Sequence, residues 1–180
     1  DDALELAGIE LRRRNVALTS YVAHHLPPLQ CDPILIQQVV LNLLKNAAEA
    51  IDAGNMPPAR RHIELRVVPH HAPEGGGVIE FSVTDQGPGV REDVLARLYE
   101  AFYSTKAGGL GIGLALCRSI IESHRGRMRA QNLYNTGRVT GCRFSFTLPV
   151  EVPVRAEANS AATTNPAQAL RDTAPADPTP

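Results

Sequence analysis

Two asparagines one helical turn apart, Asn42 and Asn46, are the first residues whose type calls for a chemical explanation. They lie in DPILIQQVVLNLLKNAAEAIDA, residues 32–53, a helical stretch that is apolar round most of its circumference. Ile34, Leu35, Val39, Val40, Leu41, Leu43, Leu44, Ala47, Ala48 and Ile51 cover most sides, which predicts a largely buried helix. The exception is a stripe of Gln38, Asn42, Lys45, Asn46 and Glu49 on one face. Asn weakens a helix interior, and burying its amide unpaired costs about 1–3 kcal/mol. Such a stripe either ties down neighbouring loops or lines a cavity that holds something polar. The helix alone does not choose between them.

A carboxylate poses the same question further on. In Val78 to Asp85 the residues alternate, and Asp85 shares the parity of Ile79, Phe81 and Val83, so it faces the covered side of a strand. A buried, unpaired charge costs several kcal/mol, so Asp85 needs hydrogen-bond donors. Gly87 and Gly89 follow at once in Asp85-Gln86-Gly87-Pro88-Gly89, and glycines let backbone approach a ligand closely. A tight turn at a strand end would use the same residues. The loop LYEAFYSTKAGGLGIG, residues 98–113, then leads into a helix from Leu114 to Ser123. Unsatisfied N–H groups at that helix start suit a polyphosphate, Lys106 adds a mobile positive charge, and the glycine content fits a lid. Gly109, Gly111 and Gly113 by themselves fit a plain linker equally well.

The elements that must position these groups can be placed. Residues 1–14 form a short helical pattern ending in Arg12, Arg13 and Arg14, read as the end of a preceding helix with a solvated basic face. Val16 to Val22 alternates as a half-buried strand. Asp32 N-caps the long helix, with Pro33 at its first position and Gly54 at its end. Arg61 to Pro69 and Val78 to Asp85 form a hairpin across HHAPEGGG, with His70 and His71 as exposed loop residues rather than metal ligands. Arg91 to Arg97 makes a short helix, and Arg127 to Leu133 and Cys142 to Leu148 two final strands. Leu110, Leu114, Cys117 and Ile121 give the last helix its packing stripe. These patterns predict an α+β domain: a two-layer sandwich with a mixed, mostly antiparallel sheet and helices on one face. From Glu151 the composition turns to Ala, Pro, Thr and Asn, which predicts a disordered tail.

Composition narrows the function classes. The chain has 180 residues, 43% of them hydrophobic, enough for one core of ordinary size. A formal net charge of −1 gives no support for a nucleic-acid partner. Three scattered cysteines, Cys31, Cys117 and Cys142, read as reduced core thiols in a cytoplasmic setting, with no zinc spacing. No apolar run is long enough to span a bilayer, so no membrane contact is expected of this stretch. The chain starts at Asp1 and is read as a fragment whose parent could carry an anchor elsewhere.

Taken in order, these motifs resemble the catalytic and ATP-binding domain of two-component sensor histidine kinases, within the ATPase superfamily that includes DNA gyrase, MutL and the large heat-shock chaperone. QVVLNLLKNAAEA, residues 38–50, is similar to the N box of that family. Asp85 to Gly89 is similar to its G1 box, Leu98 to Lys106 to its F box, and GLGIGL, residues 109–114, to its G2 box. The resemblance runs over residues 15–149, and the surroundings LYEAFYSTK and HRGRM are most similar to the nitrogen-regulation and oxygen-sensor branch.

The resemblance implies the Bergerat ATP-binding fold, ATP and Mg²⁺ as cofactors, and a role for each matched residue. Asp85 would accept the adenine amino group, with Gly87 and Gly89 close to the nucleotide. Asn46 would bind Mg²⁺ through its side-chain oxygen, and Asn42 would line the phosphate site. Lys106 and the backbone of Gly109, Leu110, Gly111, Ile112, Gly113 and Leu114 would hold phosphates. Asn42 and Lys106 would thus serve phosphoryl transfer directly. Hydrolytic relatives carry a Glu where this chain has Asn42, and an amide cannot take a proton from water, which favours transfer over hydrolysis. The implied activity is that of a protein histidine kinase. Its acceptor histidine would sit on a dimerisation domain of the same protein, absent from this chain, with a homodimer as the full-length form and a response regulator as downstream partner. His24, His25, His62 and His124 lack the surroundings of an acceptor. Two positions depart from the family pattern: Glu49 stands where relatives often carry a basic residue, and His124-Arg125-Gly126 stands for His-Gly-Gly. Competing implications are a degenerate ATP-sensing module without transfer, a hydrolytic ATPase, and a serine kinase of the anti-sigma type.

Overall fold

The computed structural model describes residues 2–72, 75–101, 103 and 111–150. Helix α1 (Asp2–Arg13) is followed by β1 (Ala17–Val22), α2 (Pro33–Ala53), a 3-10 turn at Pro58–Arg60, β2 (His62–His71) and β3 (Gly77–Asp85). The short α3 (Glu92–Leu95), then α4 (Gly113–Ser123), β4 (Arg127–Asn135) and β5 (Arg138–Pro149) complete the order. The five strands form one sheet in the order β1-β2-β3-β5-β4. Only β1 and β2 run parallel, and α2 supplies the crossover that a parallel pair needs; the other three pairings are antiparallel. The structure is therefore the expected two-layer α+β sandwich with a mixed, mostly antiparallel sheet.

Helix α2 starts as its sequence dictates. The Asp32 carboxylate accepts the N–H groups of Ile34 at 2.9 Å and Leu35 at 3.2 Å, and Pro33 occupies the first turn. At the other end Gly54 caps the helix in a right-handed conformation, and Asn55 takes the left-handed one (φ +47). Val39, Leu43, Leu44, Ala47, Ala48 and Ile51 of α2 are buried against Ile63 and Leu65 of β2, Val83 of β3 and Phe144, Phe146 and Leu148 of β5. Each fully buried Leu or Ile contributes about 1.5–3 kcal/mol. Phe81 stacks on Phe146 at 4.7 Å between ring centroids.

Several boundaries and faces differ from the sequence expectation. Ile34 is 73% exposed and Leu35 is also exposed, while Ile36 in the same turn is buried, so only one side of the first turn of α2 is covered. Strand β1 is mostly exposed: it is an edge strand with one partner, and Val22 stands in solvent. Helix α1 docks rather than frays, with Ala7 and Leu11 in the core. Its last basic residue is not a solvated charge: Arg14 donates to Glu10 at 2.8 Å and to Asp52 at the end of α2 at 2.6 Å, and Arg61 bonds the same Asp52 carboxylate. His70 and His71 belong to β2, paired with Val78 and Gly77. Strands β4 and β5 each run longer than their alternation suggests, since Thr136 and Gly137, both at positive φ, close a two-residue hairpin. The residues beyond Val150, for which composition predicts a tail, lie outside the described residues.

Candidate functional site

Asp85 is 2% exposed at the last position of β3, opposite buried Ile63 on one side and buried Cys142 on the other. Its strand parity points inward as expected, and the donors it needs come from backbone: its Oδ1 accepts the Gly87 N–H at 2.8 Å, and the Cys142 amide also bonds the carboxylate. Burial pushes the carboxyl above its usual range, while those two amides and the Arg60 guanidinium pull it back. The Cys142 thiol beside it is pushed up to about 12 by burial and by the Asp85 charge.

The loop after Asp85 is held from two directions. Asn132 of β4 uses both ends of its amide on Val90: Oδ1 accepts the Val90 N–H at 2.8 Å, and Nδ2 donates to the Val90 carbonyl at 2.6 Å. Arg60 donates to the carbonyls of Gly87 at 3.0 Å and Thr140 at 2.8 Å. Between them Gly89 adopts φ +79, where a side chain would overlap Val139 and press on Asn132. Gly87 lies against Ala50 of α2, which brings this loop onto the same helix as the two asparagines.

The second half of the site lies where α4 begins. A Cβ on Gly113 would stand 3.1 Å from Asn42 Nδ2 and 3.2 Å from Asn42 Oδ1, so the first turn of α4 faces that amide directly. Asn42 Nδ2 donates to the Cys117 thiol at 3.0 Å, which fixes the orientation of the amide. The thiol is buried and pushed up in pKa by that burial. Asn46 follows on the same face, half-buried. At its far end α4 meets the start of α2: His124 Nε2 accepts the Asp32 N–H at 3.0 Å, and Nδ1 bonds the Ile120 carbonyl at 2.8 Å.

The structure thus brings Asn42 and Asn46 to one face of α2, Gly113 to that face, and Asp85 and Gly87 beside the same helix. Gly111, Ile112 and Leu114 flank Gly113, with Gly111 at φ +66. Lys106, Gly109 and Leu110, and with them half of the expected lid, lie outside the described residues. The polar stripe on α2 is split: Gln38 and Lys45 are exposed, and Lys45 lies 3.9 Å from Glu49, while the asparagines turn inward. Three contributors escape a reading of the sequence. Arg60 and Asn132 are far in sequence from the loop they hold, though an Asn inside a strand is itself unusual. Cys117 packs as its spacing suggests and also serves as acceptor for Asn42.

A buried carboxylate beside a glycine loop, and paired amides before an open helix start, suit a ligand with a polar ring at one end and anionic groups at the other. The buried acceptor at Asp85 and the amides of Asn42 and Asn46 are groups of the kind that ATP and Mg²⁺ would use. Comparison with known proteins decides the family. The model of the family described as histidine kinase-, DNA gyrase B- and HSP90-like ATPases matches residues 31–152. The chain belongs to this family. It is 36% identical over 149 residues to the C4-dicarboxylate transport sensor protein DctS of Rhodobacter capsulatus, covering 83% of this chain and 21% of that protein. It is 40% identical over 147 residues to the sensor protein FixL of Bradyrhizobium diazoefficiens, covering 82% of this chain and 26% of that protein. The chain therefore spans about a fifth to a quarter of the length of these sensor kinases. Among solved structures, full-length ShkA in complex with AMPPNP superposes with a TM-score of 0.65 at 28% identity, over 82% of this chain and 28% of that one. The catalytic domain of the histidine kinase ThkA, at 24% identity and a TM-score of 0.63 over 83% of this chain and 88% of that one, shares the fold. The HATPase domain described here is that of sensor histidine kinases, and among its described residues no helix is long and apolar enough to cross a membrane.

Proposed function

We propose that this HATPase domain binds Mg-ATP between the Asp85 loop and the start of α4, and passes the γ-phosphoryl group to a histidine on a dimerisation domain outside this chain. A response regulator would then receive it, and the full-length protein would act as a homodimer. One observation carries the proposal: Asp85, 2% exposed and held by backbone donors, is the charged residue that is fully buried among the described residues.

The places of the described residues support the following roles, and those of Lys106, Gly109 and Leu110 rest on the motif resemblance. Asp85 accepts the exocyclic amino hydrogen of adenine, and Gly87 leaves room for the ring. Gly89 shapes the loop. Asn42, fixed by Cys117, faces the phosphates together with the N–H groups of Gly111, Ile112, Gly113 and Leu114. Asn46 holds Mg²⁺ through its side-chain oxygen; bound there, the ion neutralises phosphate charge. Lys106, Gly109 and Leu110 complete the phosphate contacts from the lid. Transfer of this kind asks mainly for positioning and charge stabilisation, and an amide at position 42 offers water no base.

The deciding experiment is a calorimetric ATP titration with and without Mg²⁺, on the native chain and on Asn46→Ala. Saturable binding that Mg²⁺ strengthens in the native chain, and much less in Asn46→Ala, supports the proposal. Adding a helical hairpin with its histidine then tests transfer directly. Steady phosphate release by the chain alone contradicts transfer and favours a hydrolytic ATPase.

A further inference from the structure

Arg60 has no part in the motifs that the sequence displays, yet its guanidinium reaches the loop that carries the buried carboxylate. Its Nη2 donates to the Gly87 carbonyl at 3.0 Å and to the Thr140 carbonyl at 2.8 Å. One carbonyl belongs to the loop after β3 and the other to β5, one residue before Gly141, whose backbone lies against that of Asp85. The bridge therefore closes the seam on either side of Asp85. It also holds the Gly87 carbonyl, one Cα away from the Gly87 N–H that Asp85 accepts.

The surroundings of Asp85 give this bridge a second consequence. From β2 it faces Ile63, which is apolar; from β5 it faces the Cys142 amide and thiol; and α2 reaches the loop with Ala50. Among the described residues, the cation that acts on the carboxylate is Arg60. Removing a carboxylate from water favours its protonated form, and a protonated carboxyl presents one hydroxyl donor where the ligand needs an acceptor.

We infer that Arg60 is a positioning residue for the nucleotide site: through the Gly87–Thr140 bridge and its charge, it keeps Asp85 in the accepting state that adenine requires. This rests on the nucleotide reading above. Lys at this position would carry the charge on a shorter side chain, without the fixed pair of N–H groups on Nη2 that reaches both carbonyls. Gln would keep a donor and lose the charge.

The test is calorimetric titration with ADP between pH 5 and pH 8, on the native chain, Arg60→Gln and Arg60→Lys, each first checked by circular dichroism and thermal melting. Taking the ratio of variant to native affinity at each pH cancels the titration of the nucleotide's own phosphates. In Arg60→Gln that ratio falls from pH 8 to pH 5 by severalfold, up to the limit of about tenfold that a shift of about one unit in Asp85 sets. Arg60→Lys gives a ratio that is lower than one yet nearly flat with pH. A flat ratio for Arg60→Gln, whether at one or well below it, overturns the inference and leaves Arg60 a plain structural brace. Should Arg60→Gln fail to fold, Arg60→Lys decides: a ratio that falls with acid as steeply as full loss of the charge would refutes the assigned role of charge. Asp85→Asn separates the two levels. If it binds ADP like the native chain, the nucleotide reading fails; if it does not bind and the Arg60→Gln ratio is flat, only the inference about Arg60 fails.

Discussion

Replacing Gly89 with Ala would put a methyl group where the loop after β3 has no room. An L-residue at φ +79 costs about 1–2 kcal/mol in backbone strain. The added Cβ would also lie 2.8 Å from Asn132 Oδ1 and overlap Val139 Cγ1, and overpacking of that kind costs about 1–3 kcal/mol. If the native state carries all of it, the loss is about 2–5 kcal/mol. For a domain of this size each kcal/mol lowers the melting temperature by about 2–4 °C, so a fall of roughly 4–20 °C is expected. Urea denaturation followed by circular dichroism measures the loss directly. Adding Val139→Ala removes the overlap and leaves the backbone strain, so the double variant is more stable than the two single losses summed, by about 1 kcal/mol or more. Because the Asn132 clamp on Val90 is the neighbour displaced, nucleotide affinity should fall with stability. A Gly89→Ala chain within about 0.5 kcal/mol of native, with unchanged affinity, would refute the clamp.

Three further outcomes follow from the same geometry. Burial raises Asp85, so in the empty domain its ionised form costs stability that returns as pH falls; Asp85→Asn should melt higher than native at pH 7 while losing nucleotide binding, and a lower melting temperature would contradict this. The hydrogen bonds from Arg61 and Arg14 hold Asp52 below the usual carboxylate range, so their contribution is full above about pH 3.9 and is lost as pH falls through the lowered native value. Asp52→Asn should therefore flatten the acid limb of a urea stability profile taken from pH 5 to pH 2.5, and an unchanged limb would exclude the cluster as its source. His124→Phe removes the acceptor for the Asp32 N–H and should lower stability by about 0.5–1.5 kcal/mol in urea, while circular dichroism still reports the native helix content.

Much of this architecture is legible in the sequence because it rests on periodicity and caps. The apolar circumference of α2, its Asp32-Pro33 start and the inward parity of Asp85 are local facts, and each survives folding. What is not legible depends on distance. Nothing near Arg60 announces that it will meet Gly87 and Thr140, and Asn132 shows its purpose only once β4 lies beside the loop. Register also hides two things. The Thr136-Gly137 turn lacks the usual Asn-Gly pair, so alternation alone makes β4 and β5 too short, and the exposure of Ile34 depends on which side of the helix its neighbours cover. Arg14 reads as one of three solvated cations because its partners, Asp52 and the Arg61 side chain that grips its carbonyl, come from elsewhere in the chain.

Helix α4 is fastened unequally at its two ends. Near its C-terminus Ile120 and Ile121 are buried, Gly126 lies against the Thr147 carbonyl, and the imidazole of His124 joins it to α2. One turn on from Gly113, at Cys117, the helix receives the Asn42 amide of α2 on a sulfur, a weak acceptor. Were the helix to turn about its His124 joint, its 11 residues would give an arm of roughly 16 Å. A tilt of about 5° at the fulcrum moves the far tip by about 1.4 Å on that arm, and displacements of about 1 Å at a reacting centre change rates by about a hundredfold. A disturbance at the joint between Asp32 and His124, remote from any phosphate, would on such a turn be magnified at the place where phosphate would lie.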